Sequence, residues 1–543
     1  MKGWPRRLAL WGGPAVLVLA AAGGTLVYTF LHTFYPAVPP PHFPPPRSVA
    51  EAQRQDLEYF RHYLKYNRTY TPAARGDASR LLEEYQAQAA RMTPAQFDLA
   101  IARMAALADN GHSKVYPDIF RQRHNKLPCL LYRFSDGYYI VRARPACQSL
   151  LGAKLLAIDG HSTAEIVDRM FQYALGPRQH YDQYITPFYL ESPELLNAAG
   201  LASAGDRVTL HVLLEDGREQ ETLMRADPPE PKWQWWIDSN FYLSGEPTPS
   251  AATDWKSLLP ADAKLPLFLT DFGNPFLVES WPGIYYAAFR SNTSEKGHPI
   301  GRFVAKVKRE ISEQRPRFVI IDLRFDQGGD LTTTAGFMSH LTRLAPSIER
   351  VYVLTSAWTF SAGESSVALA KEHGGGRVTI VGEPVGDRLR FWGEGRDMTL
   401  PNSGIVLHYA TGLHDYARPC WGEPGCFWVM YFFPMHLESI APDVTIPYTF
   451  ADYLALRDPM LCYVLQASAN AAPAPNSQSS SSSSSTPVPK TCRLSSVSMS
   501  TSPPRASTGG LAGASTHVDV PARHGNQCHA SDCRELFPPP API

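Results

Sequence analysis

Two apolar runs rich in β-branched residues, each followed by small or polar residues, constrain the fold of this chain most. They are Arg317–Asp330 (RFVIIDLRFDQGGD) and Val351–Glu364 (VYVLTSAWTFSAGE). Each run predicts a buried strand that ends where a sheet presents functional groups. At the first end, the N–H groups of Gly328 and Gly329 can approach a ligand because no side chain intervenes. At the second end, Ser361 stands at the entrance of a small-residue helix, so the two ends together predict half of an acyl-transfer site.

The composition is that of a folded chain without a charge bias. The 543 residues are 44% hydrophobic and 11% aromatic, which can fill the cores of two or three domains. Lys plus Arg and Asp plus Glu each total 51, so no positive excess points to nucleic acid as a partner. No Cys-x-x-Cys pair or zinc-type His/Cys cluster occurs, and the sequence predicts neither a metal nor another cofactor.

An uncharged stretch near the N-terminus predicts a membrane anchor. Residues 8–30 follow Lys2, Arg6 and Arg7 and can cross a hydrocarbon core of about 30 Å. Positive charge before the stretch favours a cytoplasmic N-terminus and an exported body. A cleaved signal peptide is the alternative, although its apolar region is usually about 7–15 residues long. We therefore predict a single-pass protein of the inner (cell) membrane with its body in the periplasm or outside the cell.

An exported body permits disulfide bonds. Cys129 with Cys147 and Cys420 with Cys426 are the candidate pairs. Spacing alone leaves both bridges open.

Changes in composition and periodicity divide the chain into seven segments. A proline-dense segment after the anchor predicts a stiff spacer that holds the folded part off the membrane, and a serine-rich C-terminal tail predicts disorder. In order, the segments are the anchor or signal (1–30), the spacer (31–47), a helical domain (48–126), a mostly β module (127–230), a linker (231–264), an α/β domain (265–466) and the tail (467–543).

Local patterns support this division. In the helical domain, Leu57, Phe60 and Leu64 recur at helical spacing, and Thr93-Pro-Ala-Gln96 is typical of a capping box. The β module has predicted strands at Tyr138–Arg142, Lys154–Ile158 and Arg207–Leu214 and a helix near Ala164–Tyr173. In the α/β domain, strands are predicted at Ile284–Phe289, Phe318–Leu323, Val351–Leu354 and Val378–Val381, alternating with helices at Ile300–Gln314, at Thr332–Thr342 and after Ser361.

Four motifs in this last domain resemble the tail-specific or C-terminal-processing serine peptidases of family S41, which includes the tricorn core peptidases. The motifs occur in family order between about Leu265 and Pro447: Ile321–Gly329 (IDLRFDQGG), Thr359–Glu364 (TFSAGE), Val381–Gly386 (VGEPVG) and Ile440–Val444 (IAPDV). The resemblance implies an α/β (α+β multidomain) protein. Its expected parts are an N-terminal helical bundle, a small PDZ-like, mostly β module with an insertion, and a ClpP/crotonase-like α/β peptidase core with a mixed sheet.

The resemblance also implies roles for residues at the two strand ends. Ser361 would be the nucleophile, and the N–H of Ala362 with that of Gly328 or Gly329 would form the oxyanion hole. Two fixed backbone donors can stabilise the charge of a tetrahedral intermediate. The structural alternative for a serine at a helix entrance is an N-cap.

The base that would activate the serine is suggested by a different part of the chain. Bacterial processing peptidases use a lysine at a position that reads Gly386-Asp387-Arg388 here, and Lys371 lies about 15 Å along the helix from Ser361, which is too far. A Ser-Lys dyad is therefore disfavoured. The segment Leu107–Ser113 resembles the histidine-bearing segment of the tricorn-like branch, which makes His112 the candidate general base. A surface or turn histidine is the alternative.

A third group should orient the imidazole. By the tricorn-like pattern Glu438 is nearest to the expected position, with a solvated loop carboxylate as the alternative, and Ser113 is the other possible helper. Asp326 departs from the asparagine of many relatives.

Two functions from different classes follow. The first is a membrane-anchored, exported serine endopeptidase that cuts peptides or unfolded protein through an acyl-enzyme on Ser361. The second is a catalytically inactive relative that serves as a binding or scaffolding protein of the cell envelope. An intact Ser361 motif and His112 favour the enzyme, whereas Asp326 and the missing lysine favour the binding protein.

Overall fold

The structure is a computed structural model that describes residues 21–174, 176–184, 186–233, 243–245, 254–295 and 297–471. The chain is helical from residue 21 to residue 34. The further α-helices are Val49–Tyr66, Pro72–Gln88, Pro94–Ala106, Asp118–Arg123, Thr163–Met170, Arg178–Tyr184, Thr186–Leu190, Pro193–Ala198, Ile300–Gln314, Thr332–Met338, Ala362–Gly374, Phe450–Leu454 and Pro459–Asn470. The architecture is mixed α/β with several sheets.

A six-stranded mixed sheet lies at the centre of the C-terminal half. Its order across the sheet is Val444–Thr445, Val378–Gly382, Arg350–Thr355, Phe318–Asp322, Ile284–Phe289 and Phe276–Trp281. All neighbours are parallel except the last pair, which is antiparallel. The buried β-branched runs predicted from the sequence are the middle strands of this sheet, where both faces are covered.

The parallel register places the two predicted functional ends side by side. Asp322 pairs with Leu354, so the loop after the first strand and the loop after the second leave the same edge of the sheet. Ligands of open parallel sheets bind beyond the carboxyl ends of the strands. The loop 323–331 and the turn 356–361 therefore meet at this edge.

A second, antiparallel sheet occupies the middle of the chain. Its path is Cys129–Phe134, Gly137–Ala143, Lys154–Ile158, Arg207–Leu213 and Glu219–Arg225, with short strands His161–Ser162 and Lys256–Ser257 at its sides. Three short helices between residues 178 and 198 are inserted between its strands. Two hairpin-like pairs complete the β-structure: Arg390–Gly393 with Gly412–Asp415, and Arg396–Thr399 with Val406–Tyr409.

Local sequence signals account for most of these boundaries. The capping box at Thr93 is present, with both reciprocal hydrogen bonds formed to Gln96. The predicted helix Thr332–Thr342 instead ends at Met338. Its three threonines and Gly336 have low helix propensity, and Ser339 returns a hydrogen bond to the Ala335 carbonyl, which explains the early end.

Both candidate disulfide pairs are bonded. Cys129 is joined to Cys147 and Cys420 to Cys426. The second bridge closes a short loop beside the helix-like turn Trp428–Tyr431. The candidate pairs from the sequence are thus confirmed.

The proline-dense segment lies on the body rather than standing away from it, which corrects the spacer expectation. Thr411 Oγ1 donates to the Phe34 carbonyl at 2.5 Å, and the Tyr409 hydroxyl donates to the Pro36 carbonyl. Tyr59 donates to the Pro39 carbonyl at 2.7 Å. Proline cannot donate from its own nitrogen, but its carbonyl still accepts, so an extended proline-rich strand can be held by side-chain donors.

The predicted anchor falls largely outside the described residues, which begin at residue 21. Among the described helices, none combines the length and the apolar character needed to span a bilayer. The linker prediction (231–264) is described only in part, and all of the predicted tail beyond residue 471 lies outside the described residues.

Candidate active site

Ser361 occupies a sharp turn between a strand and a helix. It follows the strand Arg350–Thr355 after a short turn and immediately precedes the helix Ala362–Gly374. Its backbone has φ 56° and ψ −122°, a left-handed conformation that is uncommon for a residue with a side chain. Its side chain makes no capping hydrogen bond. The N-cap alternative therefore does not describe this serine, and the strained turn is of the kind that presents a nucleophile at the end of a sheet.

Gly328 approaches this turn so closely that only glycine fits. A Cβ added at Gly328 would lie 2.6 Å from the Ser361 Cβ and 3.0 Å from the Ala362 nitrogen. Its φ of 106° also lies in the region that favours glycine. The glycine loop and the serine, separate in sequence, are thus in direct contact.

The three backbone N–H groups predicted to form the oxyanion hole differ in whether they already donate a hydrogen bond within the protein. Ala362 is the first residue of its helix, so its N–H has no intrahelical carbonyl partner. The Gly328 N–H donates to Oδ1 of Asp326 at 3.0 Å. The Gly329 N–H makes no hydrogen bond to any residue that the structure describes. Ala362 and Gly329 are therefore the N–H groups left available for a ligand oxygen.

Asp326 holds the glycine loop against the serine turn. Its backbone carbonyl accepts from the Phe360 N–H at 2.9 Å, and its side chain accepts from Gly328. Burial raises the pKa of this carboxyl well above its usual range. In the alternative orientation of its amide, Asn292 donates to the same carboxyl. The residue that departs from the family pattern thus organises the loop instead of disrupting it.

The structure brings His112 to the residue that precedes Ser361. Its ring stacks on Phe360 with ring centroids 4.4 Å apart and on Phe391 at 5.2 Å. Neither ring nitrogen of His112 makes a hydrogen bond to a described residue. The predicted base and nucleophile therefore lie on the same side of the fold, but no hydrogen bond joins them in this state.

Burial sets the protonation state of His112. Desolvation lowers the pKa of the imidazole well below its ordinary value, and the positive charge of Lys114 lowers it further. A neutral imidazole has a lone pair that can accept a proton, as a general base must.

A buried carboxyl that the sequence analysis did not assign lies beside His112. Oδ2 of Asp387 is 3.5 Å from Nδ1 of His112, and Oδ1 accepts from the Arg388 N–H at 2.9 Å. Burial raises the pKa of Asp387 to about 7. In the sequence, this position stood out only as the replacement of a lysine. The signal was present, because a carboxyl directly after the Val381–Gly386 motif is placed at the same sheet edge.

Glu364 is a second buried carboxyl, and it interacts electrostatically with Asp387. It lies in the first turn of the helix that begins after Ser361, and neither carboxylate oxygen has a hydrogen-bond partner among the described residues. Burial raises its pKa well above the usual range, with the charge of Asp387 as the next cause. Two carboxyls in one dry region disfavour double ionisation, so at least one proton is retained near neutral pH.

The two predicted helper residues are placed elsewhere. Glu438 is exposed and forms no hydrogen bond or ion pair with a described residue. Ser113 is buried, and its hydroxyl bonds with Asn67 at 3.1 Å and Thr69 at 3.2 Å rather than with His112. Lys371, already excluded by distance, pairs with Asp443.

Two further titratable side chains face Phe360. His180 stacks on its ring at 4.4 Å, and burial lowers the pKa of His180 to about 3. The Lys114 Nζ lies 5.6 Å from the same ring centroid, and burial lowers the pKa of this amine to about 8. Neither residue belongs to a recognisable motif, so no sequence signal identifies them as site residues. Among the described residues, no cluster of His, Cys, Asp or Glu could hold a metal ion.

This chain is similar to several solved structures of known proteins. No protein-family model matches the chain, and no curated protein matches it. A CPAF mutant is 13% identical over 75% of this chain and 95% of that chain, with a TM-score of 0.49. The photosystem II D1 C-terminal processing protease is 12% identical over 73% and 93% of the two chains, with a TM-score of 0.34.

The same comparison includes a named member of the family that the motifs resemble. A putative S41 protease from Bacteroides fragilis is 12% identical over 70% of this chain and 91% of that chain, with a TM-score of 0.30. At these identities and TM-scores the similarity assigns no residue roles. The roles below are argued from the geometry of the site.

Proposed function

We propose that the protein is a membrane-anchored, exported serine endopeptidase that hydrolyses peptide bonds through an acyl-enzyme on Ser361, with His112 as general base. One observation carries this proposal. Ser361 lies in a strained turn without a capping bond and is in contact with a glycine loop. The residue before it stacks on His112, a largely buried histidine whose lowered pKa favours the neutral form.

The proposed chemistry assigns each group one task. Ser361 Oγ attacks the substrate carbonyl carbon while His112 takes the hydroxyl proton. The N–H groups of Ala362 and Gly329 stabilise the oxyanion of the tetrahedral intermediate. When the C–N bond breaks, His112 returns the proton to the leaving amine. Water, deprotonated by the same imidazole, then releases the acyl group and restores the serine.

Asp387 is the proposed orienting group in place of Glu438. It faces Nδ1 of His112 at 3.5 Å, which leaves Nε2 as the nitrogen to meet the serine. In its ionised form this carboxyl stabilises the positive charge that develops on the imidazole. Because no hydrogen bond joins His112 to Ser361 at present, the proposal includes a small turn of the ring when substrate binds.

Labelling with a fluorophosphonate probe tests the enzyme directly. We expect labelling of the wild type, none of Ser361→Ala, and a decrease of roughly 100-fold to 10,000-fold in labelling rate for His112→Gln. Ser280→Ala, which changes an exposed serine on an outer strand, is the matched control and should label like the wild type. Absence of labelling in a folded wild-type protein would rule out the proposed serine peptidase activity.

The second candidate function is a catalytically inactive binding or scaffolding protein of the cell envelope. The observation that favours it is the present lack of any hydrogen bond at either His112 nitrogen. A protein of this class would bind unfolded polypeptide with equal affinity before and after Ser361→Ala and would release no fragments. Incubation of an unfolded substrate with both forms, followed by mass spectrometry of products, separates the two functions.

The finer architecture and the surroundings of the enzyme are part of the same proposal. We assign residues 48–126 as an N-terminal helical bundle, residues 127–230 as a PDZ-like module with a helical insertion, and residues 265–466 as a ClpP/crotonase-like core. The anchor places the body in the periplasm or outside the cell, with peptide or unfolded protein as substrate and no nucleic-acid partner. Protease accessibility of the body in intact cells and in permeabilised cells tests this orientation.

A further inference from the structure

Four aromatic side chains are exposed within the disulfide-closed turn 420–426 and the residues that directly follow it. Phe432 is 71% exposed, Trp421 56%, Tyr431 49% and Trp428 39%. We call residues 420–433 the aromatic loop. Isolated exposed apolar residues are ordinary in soluble proteins, whereas a contiguous group of large ones marks an interaction surface.

The aromatic loop is internally braced, so these side chains are presented together. The Trp421 indole N–H donates to the Met430 carbonyl at 3.4 Å, and Trp428 packs edge-on against Phe432 at 5.8 Å. The Cys420–Cys426 bridge closes the first half of the loop. The exposed aromatic surface is thus one fixed feature of the body.

The N-terminal helix ends on this same loop. Phe34, at the end of the helix, packs edge-on against Phe427 with ring centroids 5.4 Å apart, and Phe427 in turn contacts Trp428 at 5.9 Å. Thr411 holds the Phe34 carbonyl, and Tyr35 donates to Glu394 at 2.5 Å. The junction between helix and body is therefore held by polar bonds as well as by ring contacts.

Upstream of this junction the helix is exposed. Leu26 is 73% exposed, Tyr28 68% and Val27 58%, and no charged residue occurs between Leu8 and Pro46. Phe34 lies four residues beyond residue 30, which is about 6 Å along a helix axis. If residues 8–30 cross the hydrocarbon core, the aromatic loop is brought to the depth of the lipid headgroups.

We propose that the aromatic loop is a docking surface for the lipid bilayer interface, seated beside the anchor on the outer face of the membrane. Trp and Tyr combine an apolar ring with a polar group, which suits them to this depth. The continuity of the loop with an exposed, uncharged helix favours lipid over a protein partner. This inference rests on the anchor in the proposed function.

The docking surface places the proposed active site near the membrane. Phe427 contacts His414 at 5.0 Å, His414 stacks on Phe391 at 4.9 Å, and Phe391 stacks on His112. Only two rings thus separate the ring of the loop from that of the proposed base. The substrate class that follows is polypeptide close to the bilayer, such as extracytoplasmic segments next to membrane spans.

Fluorescence quenching in lipid nanodiscs tests the docking surface on the full chain. An environment-sensitive fluorescent amino acid replaces Phe432 in one variant and Leu223 in another. Leu223 is 62% exposed on the antiparallel sheet and serves as the matched control. With phospholipids brominated near the headgroup, we expect at least a twofold loss of fluorescence at position 432 and little change at position 223. The same label at Trp421 should behave like that at 432.

The outcomes separate the docking surface from the anchor. Chains that enter the discs but show no greater quenching at 432 and 421 than at 223 overturn the docking surface alone. A blue shift at 432 without quenching means that protein covers the loop, and it overturns the proposal in favour of a second copy or another partner. Chains that do not enter the discs overturn the anchor and the docking surface together. The melting temperature of each labelled variant confirms that it is folded.

Discussion

Nδ1 of His112 lies 3.5 Å from Oδ2 of Asp387, a residue 275 positions later in the chain. Both side chains are largely withdrawn from solvent, with 12% and 1% of their surfaces exposed. The pair joins the segment after the N-terminal helices to the loop that follows a strand of the central sheet. In the proposed enzyme it decides which nitrogen of the base faces the serine.

Replacement of each candidate orienting carboxyl by an amide should have unequal effects on the labelling rate. We expect Asp387→Asn to reduce the rate of fluorophosphonate labelling by roughly 100-fold or more, because an amide cannot compensate the imidazolium charge. Glu438→Gln should leave the rate within about twofold of the wild type, since Glu438 is exposed. The opposite ranking would restore Glu438 as the orienting group.

Ionisation of Asp387 should make the fold less stable as the pH rises. Its pKa is raised from 3.8 to about 7, so between these values the folded protein holds a proton that the unfolded chain has lost. The free energy of unfolding therefore falls from about pH 4 to about pH 7, by an amount on the order of a few kcal/mol for this group.

Urea unfolding at pH 5 and pH 7.5 measures this effect. Asp387→Asn cannot ionise and should lose part of the decrease that the wild type shows, with Glu364 as the other buried carboxyl that contributes in the same direction. Equal decreases in wild type and variant would mean that Asp387 does not titrate in this range.

Removal of the positive charge at Lys114 should move the acid limb of the pH profile, which is the range in which the acylation rate falls as the pH is lowered. Burial lowers the pKa of His112 first and the Lys114 charge lowers it next, with His408 and His414 acting in the same direction and Glu394 opposing them. Without this charge the pKa of His112 rises, so Lys114→Met should shift the part of the acid limb that belongs to His112 to higher pH. Lys154→Met, on the antiparallel sheet, should leave the limb in place.

A methyl group at Gly328 should disrupt the site, whereas one at a matched glycine should not. Gly328→Ala brings a Cβ to 2.6 Å from the Ser361 Cβ, so we expect labelling to fall roughly 100-fold or more. Gly160 has a similar positive φ of 82° but nothing within 4 Å of the added atom. Gly160→Ala measures the cost of backbone strain alone, and its labelling rate should match that of the wild type.

Local patterns predicted the elements well. The strands Lys154–Ile158 and Ile284–Phe289 and the helix Ile300–Gln314 agree with their predicted bounds, because short apolar runs and helical periodicity are both set by residues close in sequence. Gly328 and Ser361 could be paired from sequence because parallel strands end at a common edge.

Relationships between distant segments were not predictable in the same way. Asp387 meets His112 only because two loops converge, and no pattern within either loop encodes the other. The proline-rich segment was expected to stand free, since its composition predicts extension but not the side-chain donors of Tyr59, Tyr409 and Thr411 that hold it. The burial of Glu364 likewise depends on what packs over its helix.

The attachment of Phe34 and Pro36 to the body has a practical consequence for preparing the protein. A form trimmed to begin at residue 48, as the composition alone would suggest, would remove the Phe34 ring from Phe427 and leave Glu394 without the Tyr35 phenol. Such a fragment would expose the apolar ring of Phe427, which is linked to His112 through the rings of His414 and Phe391. Trimming no further than residue 33 retains these contacts, so crystallisation and assay work is best started from there.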